Sequence, residues 1–204
     1  FYLGKAMAKQ NQWDPALAQF AKLAAMTKSK LRDRALYESA WAEKMAGRPA
    51  KAMGHYVTLL TKFPQSELLE ASTFELAELE FEAAEKGAAA QYDAAIGRLT
   101  ELVAKTKDPS LLSRAHYRLG WCHFNKEAFD LAVKSFETVL AGQPPKEIIL
   151  PAAYQAGEVR LKRKEFKEAM ANYQKAFAAD PSDKTLHEQA QLRLGESQGL
   201  TAAW

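Results

Sequence analysis

The stretch His116-Tyr117-Arg118-Leu119-Gly120-Trp121-Cys122-His123-Phe124, followed by Phe129, Ala132, Phe136 and Pro144, decides the fold of this chain. Tyr117, Trp121 and Phe124 stand four and three residues apart, the spacing of one face of a helix. Gly120 puts a small residue into that helix directly after Leu119, and Ala132 puts a second small residue into the next one. Small side chains let two helix backbones approach closely where they cross. Phe136 fills the layer beyond the crossing. Pro144 then stops the second helix, because it lacks an N–H and clashes with the preceding turn.

Working outward, the same order recurs along the chain. The small residue reappears as Gly4, Ala40, Ala77, Gly120, Gly157 and Gly195, at steps of 36, 37, 43, 37 and 38. The alanine reappears as Ala16, Ala52, Ala95, Ala132 and Ala169, each followed four residues later by a large apolar residue: Phe20, Tyr56, Leu99, Phe136 and Tyr173. Just before each alanine stands Trp13, Pro49, Tyr92, Phe129 or Phe166, and prolines close three of the units at Pro64, Pro144 and Pro181. An ordinary helical bundle would share the helical period but not a recurrence near 37 residues.

Composition agrees. Alanine, leucine, glutamate and lysine, all strong helix formers, dominate the 204 residues, whereas glycine (10) and proline (8) are too scarce for an all-β or disordered chain. The 28 basic and 25 acidic residues leave a net charge of only +3, so no electrostatic case for nucleic acid arises. One cysteine, Cys122, excludes an internal disulfide and a cysteine-based zinc site. No run of 18 apolar residues is present, so no direct membrane insertion is expected. The chain begins without Met and inside a repeat, and is read as a fragment of a longer protein.

The recurring pattern resembles the tetratricopeptide repeat, a helix–turn–helix unit of about 34 residues. The match is fullest from His116 to Pro144, nearly as full in Tyr154, Gly157, Phe166, Ala169, Tyr173, Ala176 and Pro181, and it covers essentially the whole chain. The resemblance implies an all-α, right-handed superhelical solenoid of about five repeats plus a terminal helix, forming one domain over residues 1–204. The repeats are expected at about 1–29, 30–65, 66–108, 109–145 and 146–182, and the terminal helix over 183–198. Phe63-Pro64-Gln65-Ser66 before a helix is similar to bacterial cell-envelope members of the Tol-Pal coordinator and outer-membrane assembly lipoprotein types. That likeness implies a periplasmic or cell-envelope location.

Local signals place eleven helices. Asp14-Pro15 reads as an N-cap with proline in the first turn; Asp108-Pro109-Ser110 and Asp180-Pro181-Ser182-Asp183 read as a stop followed by a cap. The third unit carries an insertion between its helices around Glu85–Ala90.

In the resembled family the first helix of each repeat lines a concave groove. The residues this implies for the groove are Tyr37, Trp41, Phe74, Glu78, Phe81, Tyr117, Trp121, Phe124, Tyr154 and Glu158. A ladder of aromatic rings suits the gripping of a protein or peptide segment, since rings give large contact area at low entropic cost; a cell-wall glycan is the alternative ligand. Half-burial of the ladder against neighbouring helices is the competing expectation. Glu67, Glu70, Glu75, Glu78, Glu80, Glu82 and Glu85 form an acidic run with few bases nearby in sequence. Arg160, Lys162, Arg163, Lys164 and Lys167 form a basic one.

The carboxylate clamp of chaperone-binding members, which needs lysine and asparagine where this chain has rings, tryptophan or glutamate, is not expected. Nor are an enzyme, a cofactor or a metal: His116 and His123 are too far apart along a helix to share an ion, and no phosphate loop or nucleophile motif is present. The function read from the sequence is a protein–protein interaction scaffold or adaptor.

Overall fold

The structure, a computed structural model, describes residues 1–179 and 183–202, and the side chains of these up to Gly199. Among them are eleven α-helices and no strand: α1 (Tyr2–Lys9), α2 (Trp13–Ala25), α3 (Arg32–Met45), α4 (Pro49–Lys62), α5 (Leu69–Glu85), α6 (Gln91–Lys105), α7 (Pro109–Asn125), α8 (Phe129–Ala141), α9 (Lys146–Lys162), α10 (Phe166–Ala178) and α11 (Lys184–Ala202). The all-α class and the helix count match the sequence expectation. Asp180-Pro181-Ser182 lies outside the described residues. Two compact units are formed, Phe1–Arg98 and Leu99–Trp204, with the division inside α6.

The first and second helices of each hairpin are joined by turns of one design. Residues 10–12, 46–48, 126–128 and 163–165 each place their middle residue in the left-handed region: Asn11 at φ 59°, Gly47 at 74°, Glu127 at 58° and Lys164 at 62°. The third residue donates its N–H five residues back, Gln12 to Met7 (3.0 Å), Arg48 to Glu43 (2.8 Å), Ala128 to His123 (2.9 Å) and Glu165 to Arg160 (3.0 Å). This is the Schellman closure, which satisfies carbonyls that a helix end leaves unpaired. The insertion expected after α5 is present as a five-residue turn, 86–90. It keeps the same closure, with Gly87 at φ 109° and Ala88 donating to Ala83 at 3.1 Å.

The helix starts follow the sequence signals with one correction. Asp108 caps α7, its carboxylate accepting from the N–H of Ser110 (2.9 Å) and Leu111 (3.3 Å), with Pro109 in the first turn where no N–H is needed. Asp14, by contrast, is not an N-cap: α2 already begins at Trp13. Its carboxylate instead meets Arg48 at 2.8 Å, an ion pair that ties α2 to the following hairpin. Pro151, unflagged by the sequence reading, stands inside α9.

The core is built from one repeated contact. Ala16, Ala52, Ala95, Ala132 and Ala169 are all fully buried, as are Phe20, Phe136 and Tyr173, with Tyr56 at 1% exposure. Each of three rings lies directly on the glycine of its own hairpin. A Cβ added to Gly4 would sit 2.6 Å from Cε1 of Phe20, one on Gly120 2.5 Å from Cε1 of Phe136, and one on Gly157 2.6 Å from Cε1 of Tyr173. The same rings meet a second ring from the first helix. Centroid distances are 6.2 Å for Phe1–Phe20, 5.7 Å for Tyr37–Tyr56, 5.7 Å for Tyr117–Phe136 and 5.8 Å for Tyr154–Tyr173, tilted or edge-on as ring quadrupoles prefer. Ala40 stands in place of glycine beneath Tyr56 in the second hairpin, in the same buried cluster, so one methyl fits there.

Each cluster then recruits the next first helix. Ala35 joins Phe20, Leu76 and Leu79 join Tyr56, Ala156 and Val159 join Phe136, and Ala190 joins Tyr173. Within each unit, hydrophobic burial therefore links one hairpin to its successor, the arrangement that makes repeat arrays cooperative.

Filling the ring seat is expected to destabilise the fold. Gly120→Leu should cost about 1–3 kcal/mol in urea denaturation, the usual penalty of overpacking a close-packed core. Gly54, inside α4 with open space around it, provides the opposite case: Gly54→Ala should gain up to about 1 kcal/mol from helix propensity. Equal effects of the two substitutions would show that Phe136 does not rest on Gly120.

Candidate functional site

The expected groove residues fall into three groups. Phe74 and Phe81 are 4% exposed and Tyr154 9%, so these three are core residues and not groove-lining ones, a correction with a clear cause. Tyr154 packs on Tyr173, and Phe81 meets Tyr92 edge-on at 5.8 Å. Glu158 is half-buried and committed to its own unit: it accepts from the Tyr173 hydroxyl at 2.7 Å and pairs with Arg193 of α11 at 2.9 Å. Burial and that carboxylate together hold the Tyr173 hydroxyl well above its ordinary pKa. Arg193 also reaches Tyr154. Glu78 is half-buried on α5.

In the second unit Tyr117, Trp121 and Phe124 do come together, on α7, but as a packed cluster. Trp121 is half-buried, edge-on to Tyr117 (6.5 Å), Phe124 (5.8 Å) and Phe136 (6.2 Å). The Lys162 ammonium lies 5.1 Å from the Phe124 ring centre and 5.8 Å from that of Phe129, a cation–π arrangement.

The first unit differs. Trp41 is 37% exposed and stands edge-on to Trp13 at 5.6 Å. It forms one wall of a cleft of about 350 Å³ between α1 and α3, lined also by Lys5, Ala8, Lys9, Tyr37 and Glu38. Lys5 and Glu38 pair at 2.8 Å across the cleft. Lys9, Ala8 and Glu38 were missed by the sequence reading. The signal was available: Lys9 lies four residues after Lys5, and Glu38 three before Trp41, the spacings that share a helix face.

The charge runs are locally balanced. In the run in and before α5, Arg34 stands 3.5 Å from Glu67, Lys44 3.3 Å from Glu75, and Arg98 2.7 Å from Glu80. In the basic run, Arg160 meets Glu137 and Glu165 at 2.7 Å each. Arg163 meets Glu165 at 2.7 Å and also Asp130. Glu43–Arg48 in the second hairpin and Arg160–Glu165 in the fifth are one ion pair with its charges exchanged, at the same two places of the repeat. In both hairpins an arginine reaches back to the first-turn aspartate of the preceding second helix, Asp14 or Asp130.

Among the described residues no three His, Cys, Asp or Glu side chains gather into a metal-holding group, and no helix is long and apolar enough to cross a membrane. Cys122 is buried.

Tetratricopeptide-repeat family models match residues 1–25 and 34–66, 82–147, and 150–183. The chain is built of tetratricopeptide repeats. Among solved structures, MamA is 18% identical with a TM-score of 0.71 over 86% of this chain and 92% of its own. YrrB, described as a TPR protein with an unusual peptide-binding site, is 19% identical with a TM-score of 0.69 over 92% and 88%. A thermophilic TPR protein of Thermus thermophilus is 20% identical with a TM-score of 0.60 over 95% and 96%. At these identities the likeness is one of fold. No curated protein sequence is close enough to match.

The histidines give these repeats a pH dependence. Burial lowers the pKa of His55, His116 and His123; Lys126 lowers His123 further, while Glu43 opposes the shift at His55. The unfolded chain therefore takes up these protons first, and stability present above the ordinary imidazole value of about 6.5 is lost as pH falls below it. Glu80, raised by burial, acts with the opposite sign on a single site. Denaturation at about pH 7.5 and about pH 5.5 should show lower stability at the acidic value. His116→Gln with His123→Gln should flatten that slope; an unchanged slope would place the titrating groups elsewhere.

Proposed function

We propose that this tetratricopeptide-repeat chain is a protein-interaction module that holds a segment of a partner protein, and that the cleft between α1 and α3 is one of its contact points. The observation that supports this reading is Trp41. Of the ten groove residues expected from sequence, it is the one that combines substantial exposure with a formed cleft. A tryptophan held edge-on by Trp13 is rigid, so little entropy is lost when a ligand side chain packs on it. Lys5 is neutralised by Glu38, which leaves Lys9 as the surplus charge of the lining. The cleft therefore suits an apolar or aromatic side chain followed by an acidic one.

The other rings of the ladder serve the fold first. Trp121, wedged among three rings, belongs to the packing of its own unit, and its removal is expected to lower stability more than binding.

The reading is tested by selecting peptides from a displayed random library against the 204-residue chain and titrating the selected sequences by intrinsic fluorescence. Trp41→Ala should weaken them about tenfold or more, the scale of a hot-spot truncation, with little change in melting temperature. Trp121→Ala should lower the melting temperature. Selected peptides that bind Trp41→Ala as tightly as the parent chain would move the site away from this cleft. Saturation of Trp41 fluorescence by cell-wall glycan fragments, with no peptide selected, would favour the glycan alternative.

A further inference from the structure

At the start of α3 the chain departs from the packing its other repeats use. Eight residues before the small residue of the first helix, α5, α7 and α9 carry Leu69, Leu112 and Ile149, each half-buried. α3 carries Arg32 at that place, also half-buried. Two residues earlier the same repeats have Glu67, Ser110 and Glu147, and here Lys30 stands instead. An apolar residue serves the fold at the first position three times, so packing does not account for the guanidinium.

The surroundings hold Arg32 in place. Its Nε donates to the Ala24 carbonyl at 3.0 Å, at the end of α2. Its guanidinium carbon lies 5.2 Å from the centre of the Phe63 ring, a stacking that suits arginine. Neither Nη has a hydrogen-bond partner among the described residues. Arg32 walls a hollow of about 410 Å³ between the α2–α3 turn and the α4–α5 turn, together with Lys30, Asp33, Lys62, Phe63 and Ser66. Lys30 and Lys62 are exposed and have no ion-pair partner among the described residues. Lys30 stands just before α3, at the helix end whose dipole favours anions, so helix stability does not account for it. Asp33 is the one acid of the wall, and its oxygens are engaged: Oδ2 accepts from the Ser66 hydroxyl at 2.6 Å and Oδ1 from the Arg34 N–H at 2.8 Å. Three cations against one anion leave the wall with an excess of two positive charges.

We infer that this hollow is a binding site for a phosphate group, free or esterified. Such a group carries a charge of about −1.5 to −2 near neutral pH and three acceptor oxygens, which matches the excess. The planar fork of Arg32, already positioned by Ala24 and Phe63, suits two of those oxygens, and the two ammonium groups act as point charges beside it. A carboxylate would neutralise half of the excess and offer fewer acceptors. The hollow shares no lining residue with the Trp41 cleft, and the inference does not depend on that reading.

The probe is phosphoserine with both ends blocked, titrated into the isotope-labelled 204-residue chain while amide chemical shifts are followed. Inorganic phosphate and end-blocked aspartate are titrated beside it. Saturable shifts centred on residues 29–33 and 62–66 are expected with phosphate, weakening as salt is raised, and smaller ones with aspartate. Arg32→Leu brings in the side-chain type of the other repeats, which keeps the fold, and should weaken binding about tenfold or more. Lys62→Gln, at an exposed position, is the second variant and should weaken it about threefold. Blocked phosphoserine bound more tightly than inorganic phosphate would support the site and assign it to a phosphorylated side chain; equal affinities would support it with free phosphate as the source. Affinity unchanged in both variants, shifts centred elsewhere, or no saturable shifts would overturn the proposal. Blocked aspartate bound as tightly as phosphoserine would overturn it too, in favour of a carboxylate site.

Discussion

A buried ring resting on a glycine is the contact around which three of the five hairpins are organised, with alanine beneath Tyr56 in a fourth. Cε1 of Phe136 lies where a Cβ on Gly120 would have to be, so the two helices meet at one register only. The constraint propagates. Once the ring is placed, Ala132, one turn before it, faces the crossing and must be small, because interiors pack at crystal-like density. Tyr117, one turn before Gly120, then meets the ring edge-on. The far side of the cluster offers a surface to Ala156 and Val159 of the following helix. The repeat length is thus the chain needed to go from one glycine, around a Schellman turn, back through the ring, and on to the next.

This logic explains how much of the fold was legible. In four hairpins glycine or alanine, alanine and ring stand at fixed separations because the contact between them is rigid; the third, with Ala77, Ala95 and Leu99, is longer and has no ring. The helix count, the longer turn after α5 and the buried alanines could therefore be read from spacing alone. Asp14 was misread because a cap is a local signal, whereas its partner Arg48 lies in another hairpin. The aromatic ladder was legible as a pattern but not as a surface. Tyr37, Tyr117 and Tyr154 recur because each stands against a seated ring, and that packing demand accounts for the periodicity without any ligand.

Charge was the least legible feature, for a related reason. Bases that neutralise the acidic run come from about one repeat away or from the paired helix, as Arg34 does for Glu67 and Arg98 for Glu80. No window of a few residues contains both partners. Glu43–Arg48 and Arg160–Glu165 show two hairpins that keep the pairing of these places but not the sign at either. Trp41, exposed over its cleft, is the ring of the expected groove that packing within its hairpin does not account for.

The account rests most directly on rings seated on glycines, and one spectrum addresses it. In a chain labelled so that only glycine Hα and Phe and Tyr ring protons are observed, nuclear Overhauser contacts are predicted between Gly4 and Phe20, Gly120 and Phe136, and Gly157 and Tyr173, with none from Gly195 to any of these rings. Loss of the first three contacts in the folded chain would contradict the seat as the organising interaction of the repeat.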